Sequence, residues 1–378
     1  MNNRPKLIRL TTTDISLDTL LRGQLKFLNG YFEVVGVADD SGLLAEVAAR
    51  EGIRTIAVPM RREISLAADL KSLFALIKLF RRERPHIVHA NTPKGSLLAM
   101  TAAFATRVPH RIYTVTGLRF ETTHGLFRLL LKTMERIACA CATKVIPEGD
   151  GVKNTLYREG ITRKPLQKIL NGNISGIDTE YFSRTQEVAA QAAELKEPDT
   201  FTFIFIGRMV RDKGINELIA AFDRLSKQDE RVRLILAGKF EDDLDPAAPE
   251  TEKIINTNPH IRFVGYQSDV RPYLAASDVL VLPSYREGFP NVVIQAGALG
   301  LPCIVTDISG SNEIIEHGVN GIIIPKQDTD ALYEAMRRLA ENRAETSAMA
   351  AVARDMTVSR YRQQDVWNAI LEMYKSLE

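Results

Sequence analysis

Cysteine, histidine and tryptophan are scarce in this 378-residue sequence, at three, six and one. Cys139 and Cys141 stand two apart in an apolar helical run and Cys303 opens a strand-type run, so no disulfide framework and no metal-ligand spacing is available. Reduced cysteines acting as small buried apolar residues suit a cytosolic protein. No Ser/His/Asp arrangement and no paired-carboxylate spacing stands out as a nucleophile-and-base constellation. The D-x-D from Asp243 to Asp245 in "KFEDDLDP" lies in a polar stretch and reads as a solvated loop rather than a metal site. No apolar run reaches the ~18 residues of a spanning helix. The N-terminus "MNNRPKLIRLTTTD" enters a short strand without a signal-peptide apolar region, so a membrane would be met from the cytoplasmic surface. Excess charge is missing too. A net charge of +2 gives no chain-wide argument for nucleic acid, and no nucleic-acid partner is expected.

What is present is a regular alternation of short apolar runs and helical patterns, at a length that favours two domains of similar size. In the first half "KLIRL" (6–10), "FEVVGVA" (32–38), "RTIAV" (54–58), "HIVHA" (86–90), "RIYTVT" (111–116) and "KVIP" (144–147) read as buried parallel strands. Helical patterns separate them, clearest in Leu66, Leu70, Leu73, Ile77 and Phe80, spaced by fours and threes. A second series runs through "TFTFIFIGR" (200–208), "VRLILAG" (232–238), "IRFVGY" (261–266), "DVLVLPS" (278–284), "PCIVTD" (302–307) and "GIIIP" (321–325). The expected fold is α/β, with two Rossmann-like doubly wound parallel-sheet domains and a cleft between them. The N-terminal domain is placed at 1–171, a linker in the polar stretch 172–198, and the C-terminal domain at 199–359. A last helix over 360–378 carries Val366, Ile370, Met373 and Leu377 on one face and is expected to return to the N-terminal domain, with Trp367 and Tyr374 in that contact.

In open α/β sheets ligands bind beyond the carboxyl ends of strands, and two such loops draw attention. In "FIFIGRMVRDKGINELIAAF" a strand runs into Gly207 and Arg208, and Lys213 precedes the next helix. A strand-end arginine and a helix-entry lysine beside free amides can cradle a diphosphate, although R-x4-K alone also describes two solvated charges. In "SYREGFPNVVIQAGALGLPCIV" Glu287 stands ahead of a helix for which Pro290 suits the first turn, with Asn291 and Gln295 four apart on one face. Glu287 either caps that helix or accepts hydrogen bonds from ligand hydroxyls.

Taken jointly, G-R-x4-K-G after one strand, E-G-F-P after another, "GLPCIVTD" and "SGSNEIIEHGVNGIIIP" resemble the retaining GT-B glycosyltransferases of family 4. The resemblance is close in the C-terminal half and looser in the N-terminal half, where "PHIVHANTPKGSLLAMTAAF" and "ILNGNISGIDTEYF" resemble bacterial surface-polysaccharide members. It implies transfer of a hexosyl or N-acetylhexosaminyl group, with retention and without a metal ion or other cofactor. The donor is a nucleotide-diphospho-sugar, expected to be UDP-linked, and the acceptor a polyprenyl-linked or growing glycan. Arg208 and Lys213 would hold the diphosphate and Glu287 would face the sugar. The amides of Gly288 and Phe289 and the helix start at Asn291 and Val292 would hold hydroxyls and phosphate beside Gly207, with the nucleobase near Val264 and Tyr266. Family members carry a second acid at position 295, where this chain has Gln295, and a histidine where Thr116 stands. A glutamine still accepts from ribose hydroxyls, but without charge assistance the bond is weaker by ~1 kcal/mol. A GT-B nucleotide-sugar epimerase and a non-catalytic nucleotide-sugar-binding protein are the competing readings.

Basic residues cluster at Arg61, Arg62, Lys71, Lys78, Arg81, Arg82 and Arg84, and Arg119 and Arg128 flank Phe120, Leu126 and Phe127. These are either solvated faces of docked helices or a peripheral face on the inner side of the plasma membrane.

Overall fold

In a computed structural model that describes residues 4–60, 65–241 and 245–377, the chain divides into two compact units. The first comprises Met1–Gly176 with Gln364–Glu378, the second Ile177–Gln363.

The first unit is built on β1 (Lys6–Thr13), β2 (Glu33–Asp39), β3 (Arg54–Ala57), β4 (Ile87–Ala90), β5 (His110–Val115) and β6 (Lys144–Pro147), all parallel in the order β3-β2-β1-β4-β5-β6. Successive side chains of a strand point to opposite faces, and with helices on both faces each must be apolar. Ile8, Val35, Val88, Tyr113 and Val145 accordingly join one core, and their neighbours Leu7, Val34, Ile87, Ile112 and Ile146 the other. That second core is completed by the C-terminal helix Gln363–Lys375, through Val366, Ile370, Leu371, Met373 and Tyr374. Trp367 of the same helix donates its Nε1–H to Ser175 O at 3.2 Å and stacks 5.6 Å from Phe27.

Tyr374 also closes a buried polar network. One ring nitrogen of His89 lies 2.5 Å from its hydroxyl and the other 2.7 Å from Thr114 Oγ1. Arg9, fully buried, donates to Gln24 Oε1 at 2.6 Å and Asn91 Oδ1 at 3.0 Å. Burial and the nearby Arg9 charge hold His89 well below the usual histidine range, so its ring stays neutral.

The second unit repeats the plan. Its strands are β7 (Phe201–Ile206), β8 (Val232–Ala237), β9 (Ile261–Gly265), β10 (Val279–Leu282), β11 (Cys303–Thr306) and β12 (Gly321–Ile324), parallel in the order β12-β11-β10-β7-β8-β9. Its strand order is that of the first sheet, counted from its own first strand.

Two sequence expectations change. The stretch 172–198 is not a free linker: from Ile177 onward it belongs to the second unit and holds the helix Gln186–Leu195. Val188 and Ala192 of that helix pack on Ala275 and Ala276, an interface of small residues that leaves little apolar signal in the sequence. In the helix Leu66–Glu83 the buried residues are Ser72, Leu76, Leu79 and Phe80, whereas Leu66, Leu70 and Phe74, spaced by fours, are exposed. Arg61, Arg62 and Asp243 lie outside the described residues, and among those described no helix is long and apolar enough to cross a membrane.

Truncating a buried aromatic in a closed core costs about 3–5 kcal/mol. Tyr374→Ala should therefore lower the stability of the first unit by that amount in a denaturant titration. A loss under about 1 kcal/mol would show that the C-terminal helix does not complete this core.

Candidate active site

Strand order dictates where the second unit's site lies. The sheet winds one way from β7 to β8 and β9 and the other way from β10 to β11 and β12, so the loops leaving β7 and β10 flank the switch point. These are the loops that carry Arg208 and Lys213 on one side and Glu287 on the other.

The structure brings Lys213 and Glu287 into an ion pair, with side-chain exposures of 20% and 15%. Glu287 also accepts from Ser284 Oγ at 2.8 Å, and the Ser284 carbonyl in turn accepts from Thr306 Oγ1 at 2.5 Å. Further bonds stitch the two loops together. The Tyr285 N–H donates to Asp212 O at 2.8 Å, Arg286 Nε to Asp212 Oδ2 at 3.2 Å, and the Tyr285 hydroxyl to Glu217 Oε1 at 2.6 Å. Burial and the Glu217 carboxylate raise the Tyr285 pKa, keeping the phenol a donor. Gly214 permits this closeness. Its φ is +71°, and a Cβ there would stand 2.1 Å from Pro283 O.

A cavity of about 430 Å³ opens across the ends of β7, β8 and β9, and neither Lys213 nor Glu287 is among its lining residues. Gly207, Arg208, Tyr266 and Gln295 line it together, four of the residues marked out in the sequence. Tyr266 is well exposed, and Lys239 Nζ lies 5.1 Å from its ring centroid. On the rim the Arg271 guanidinium sits 3.7 Å from the Tyr181 ring centroid and binds Asp269 at 2.6 Å. Hydrogen bonds from Arg271 hold the Asp269 carboxyl below its usual range, so it stays ionised.

Other residues fall elsewhere. The Phe289 side chain is buried against Tyr361, with ring centroids 5.6 Å apart, so only its backbone is left for a ligand. Gly288 lies under Gly310, whose Cβ would meet its carbonyl at 2.4 Å. Asn291 opens the helix Asn291–Ala298 with Pro290 as its N-cap, one residue later than a first-turn proline, and Val292 follows half-buried. Val264 packs on the core, and its carbonyl accepts from Gln267 Nε2 at 2.6 Å. Thr116 belongs to the first unit, where its hydroxyl donates to Asn91 O at 2.9 Å. Asp245 binds Arg211 at 3.1 Å and accepts from the Asp212 N–H at 2.6 Å, a loop-fastening role. Lys239 and Glu241, which follow β8, were not singled out in the sequence. Reading the end of β8 as closely as those of β7 and β10 would have found them.

Two parallel sheets of one strand order, each in its own unit, make this a GT-B α/β fold. In the solved structure of Anabaena Alr3699/HepE in complex with UDP and glucose the same fold recurs, with a TM-score of 0.82 at 19% identity, covering 99% of this chain and 100% of that one. The family model described as "Glycosyl transferases group 1" matches residues 200–342, and that of a "Glycosyl transferase 4-like domain" matches residues 30–172. The chain is 32% identical over 373 residues to the capsular polysaccharide biosynthesis glycosyltransferase CapM of Staphylococcus aureus, covering 98% of this chain and 97% of CapM. It is 29% identical over 327 residues to the UDP-Gal:alpha-D-GlcNAc-diphosphoundecaprenol alpha-1,3-galactosyltransferase of Escherichia coli, covering 83% of this chain and 82% of that enzyme. The chain belongs to the group 1 glycosyltransferases.

The cavity floor depends on Gly238, with φ +152° and a hypothetical Cβ only 1.7 Å from Gly207 O. Gly238→Ala should force the ends of β7 and β8 apart and lower the melting temperature of the second unit. An unchanged melting temperature would show that the two strand ends are not held by this contact.

Proposed function

We propose that the chain is a retaining, metal-independent glycosyltransferase of surface-polysaccharide synthesis, moving a sugar from a UDP-linked donor to a hydroxyl of a lipid-linked or growing glycan. The observation that carries this is the Lys213–Glu287 pair at the β7/β10 switch, with Arg208 of the same β7 loop and Gln295 of the helix after β10 lining a cavity. The near end-to-end match to CapM supports the pathway class. The UDP-Gal donor and diphosphoundecaprenol acceptor in the Escherichia coli relative's name support the donor and acceptor classes, and the UDP in the Anabaena complex supports the nucleotide.

On this reading Arg208 and Lys213 hold the diphosphate and offset the charge that grows on it as the sugar–phosphate bond breaks. The acceptor hydroxyl attacks the anomeric carbon from the face the diphosphate leaves, and its proton passes to a departing phosphate oxygen. That route asks for no separate base. Glu287, held by Ser284 and Lys213, presents its second carboxylate oxygen to sugar hydroxyls. Gln295 at the cavity wall serves the ribose, and Tyr266 with Lys239 the base.

Removing a group that stabilises developing charge costs on the order of 10²–10³ in turnover. Lys213→Ala and Glu287→Ala should each lower transfer from UDP-sugars by that factor while the protein remains folded by circular dichroism. Wild-type rates in both would refute the site.

The first unit supplies the membrane side of this reading. Leu126, Leu129 and Leu130 in the helix Gly125–Cys141 are exposed, as are Leu66, Leu70 and Phe74, with Arg81 and Arg82 in the last turn of the latter helix and Arg84 at its C-cap. Apolar side chains among cations suit an anionic bilayer, each cation contributing ~1 kcal/mol near the surface. Reversing the charge at Arg81, Arg82 and Arg84 should release the protein from phosphatidylglycerol vesicles in co-sedimentation. Binding that persists unchanged would exclude this face.

A further inference from the structure

We propose that Glu241 is a built-in competitor for the donor's phosphates: with no donor bound its carboxylate occupies Arg208, and it thereby sets how tightly a nucleoside diphosphate is held and how fast it leaves. The inference rests on Arg208 being a diphosphate-binding group.

Backbone geometry places the two side chains together. Beyond their named ends β7 and β8 continue as a loose parallel pair, with the Gly207 N–H donating to Ala237 O at 2.9 Å and the Met209 N–H to Lys239 O at 2.8 Å. Met209 and Phe240 form the last bridge, so Arg208 and Glu241 emerge side by side. Arg208 Nη1 lies 2.5 Å from Glu241 Oε2, and both residues line the cavity.

The chemistry of the pair fits a replaceable partner rather than a structural one. A guanidinium offers the same donor fork to carboxylate and phosphate, so one anion excludes the other from that edge. Side-chain exposures of 49% and 33% leave the bridge in water, where such pairs are worth only about 0–1 kcal/mol. The Lys213–Glu287 pair is more enclosed and has Ser284 as a further tie. Asp269, the other carboxylate on the cavity wall, is held by Arg271. Glu241 is therefore the wall carboxylate that faces the diphosphate's arginine. A diphosphate arriving at Arg208 must displace that carboxylate or sit beside it against its charge. Either way the cradle grips a nucleoside diphosphate less tightly than its cations alone would. For a transferase whose product is a nucleoside diphosphate, weaker grip means faster release, and release often limits turnover.

The test is Glu241→Gln in the full chain, titrated with UDP and with uridine, next to Arg208→Ala. Expected for Glu241→Gln is UDP bound about two- to fivefold more tightly, the size of change that a lost surface ion pair allows. Uridine affinity and melting temperature should be unchanged, KM for the donor lower, and kcat lower at saturation. Glu241→Asp should keep wild-type behaviour, and Glu241→Ala should follow the glutamine variant. If Arg208→Ala weakens UDP but Glu241→Gln does not tighten it, the competitor role is overturned. If UDP and uridine tighten equally, Glu241 shapes the cavity rather than competing for phosphate, which also overturns it. If Arg208→Ala leaves UDP affinity intact, the reading of Arg208 fails and the inference with it.

Discussion

Parallel strands joined by right-handed crossovers leave one place in each sheet where the order reverses, and in the second unit that place lies between β7 and β10. The site elements follow from this constraint. Loops some seventy residues apart in sequence become neighbours, and Asp212 and Tyr285 fix their spacing through a backbone hydrogen bond. Glycine supplies the clearance, at Gly214 against Pro283, Gly310 against Gly288 and Gly238 against Gly207, where any side chain would collide with a carbonyl. The charged groups are mounted on a backbone that is already close-packed.

Each cation at the site meets a protein group before any ligand arrives. Lys213 has Glu287, Arg208 has Glu241, Arg271 has Asp269, and Lys239 rests near the Tyr266 ring. Unpaired cations clustered at strand ends would repel one another and bind any phosphate. Pairing them keeps the site close to neutral, and on the proposed reading binding becomes an exchange of anions in which selectivity rests on what a ligand offers beyond charge.

The fold was legible in the sequence because its central strands are buried on both faces. Runs such as "FIFI" and "VLVL" need no periodicity to be recognised there, and all twelve strands were placed, including the partly exposed edge strands β3 and β9. The helix Gln186–Leu195 was read as linker because its contacts are made by Val188 and alanines, so its pattern differs little from that of an exposed segment. Within the site, Arg208, Tyr266 and Gln295 could be chosen from loop position and motif spacing, and the cavity unites them. Glu241 could be located at the end of β8 but not matched to Arg208. Its partner is set by the pairing of β7 with β8 beyond their ends, a relation between strands that no local pattern records. The exposed Leu66, Leu70 and Phe74 repeat at helical spacing as core residues would, and sequence alone does not say which apolar stripe of a two-striped helix faces inward.

The helix Gln363–Lys375 stands last in the chain yet seals a core formed by residues from Leu7 to Ile174. On the ribosome this ordering matters. The first unit emerges early but lacks one wall until the whole second unit has been synthesised, whereas the continuous stretch from Ile177 to Gln363 holds all of its own strands. Until Gln363–Lys375 is in place, Leu17, Leu25, Phe32 and Val47 lack one wall of their core. A cut between the two units would therefore take from the first the helix that completes its core, whereas the second would keep all of its strands.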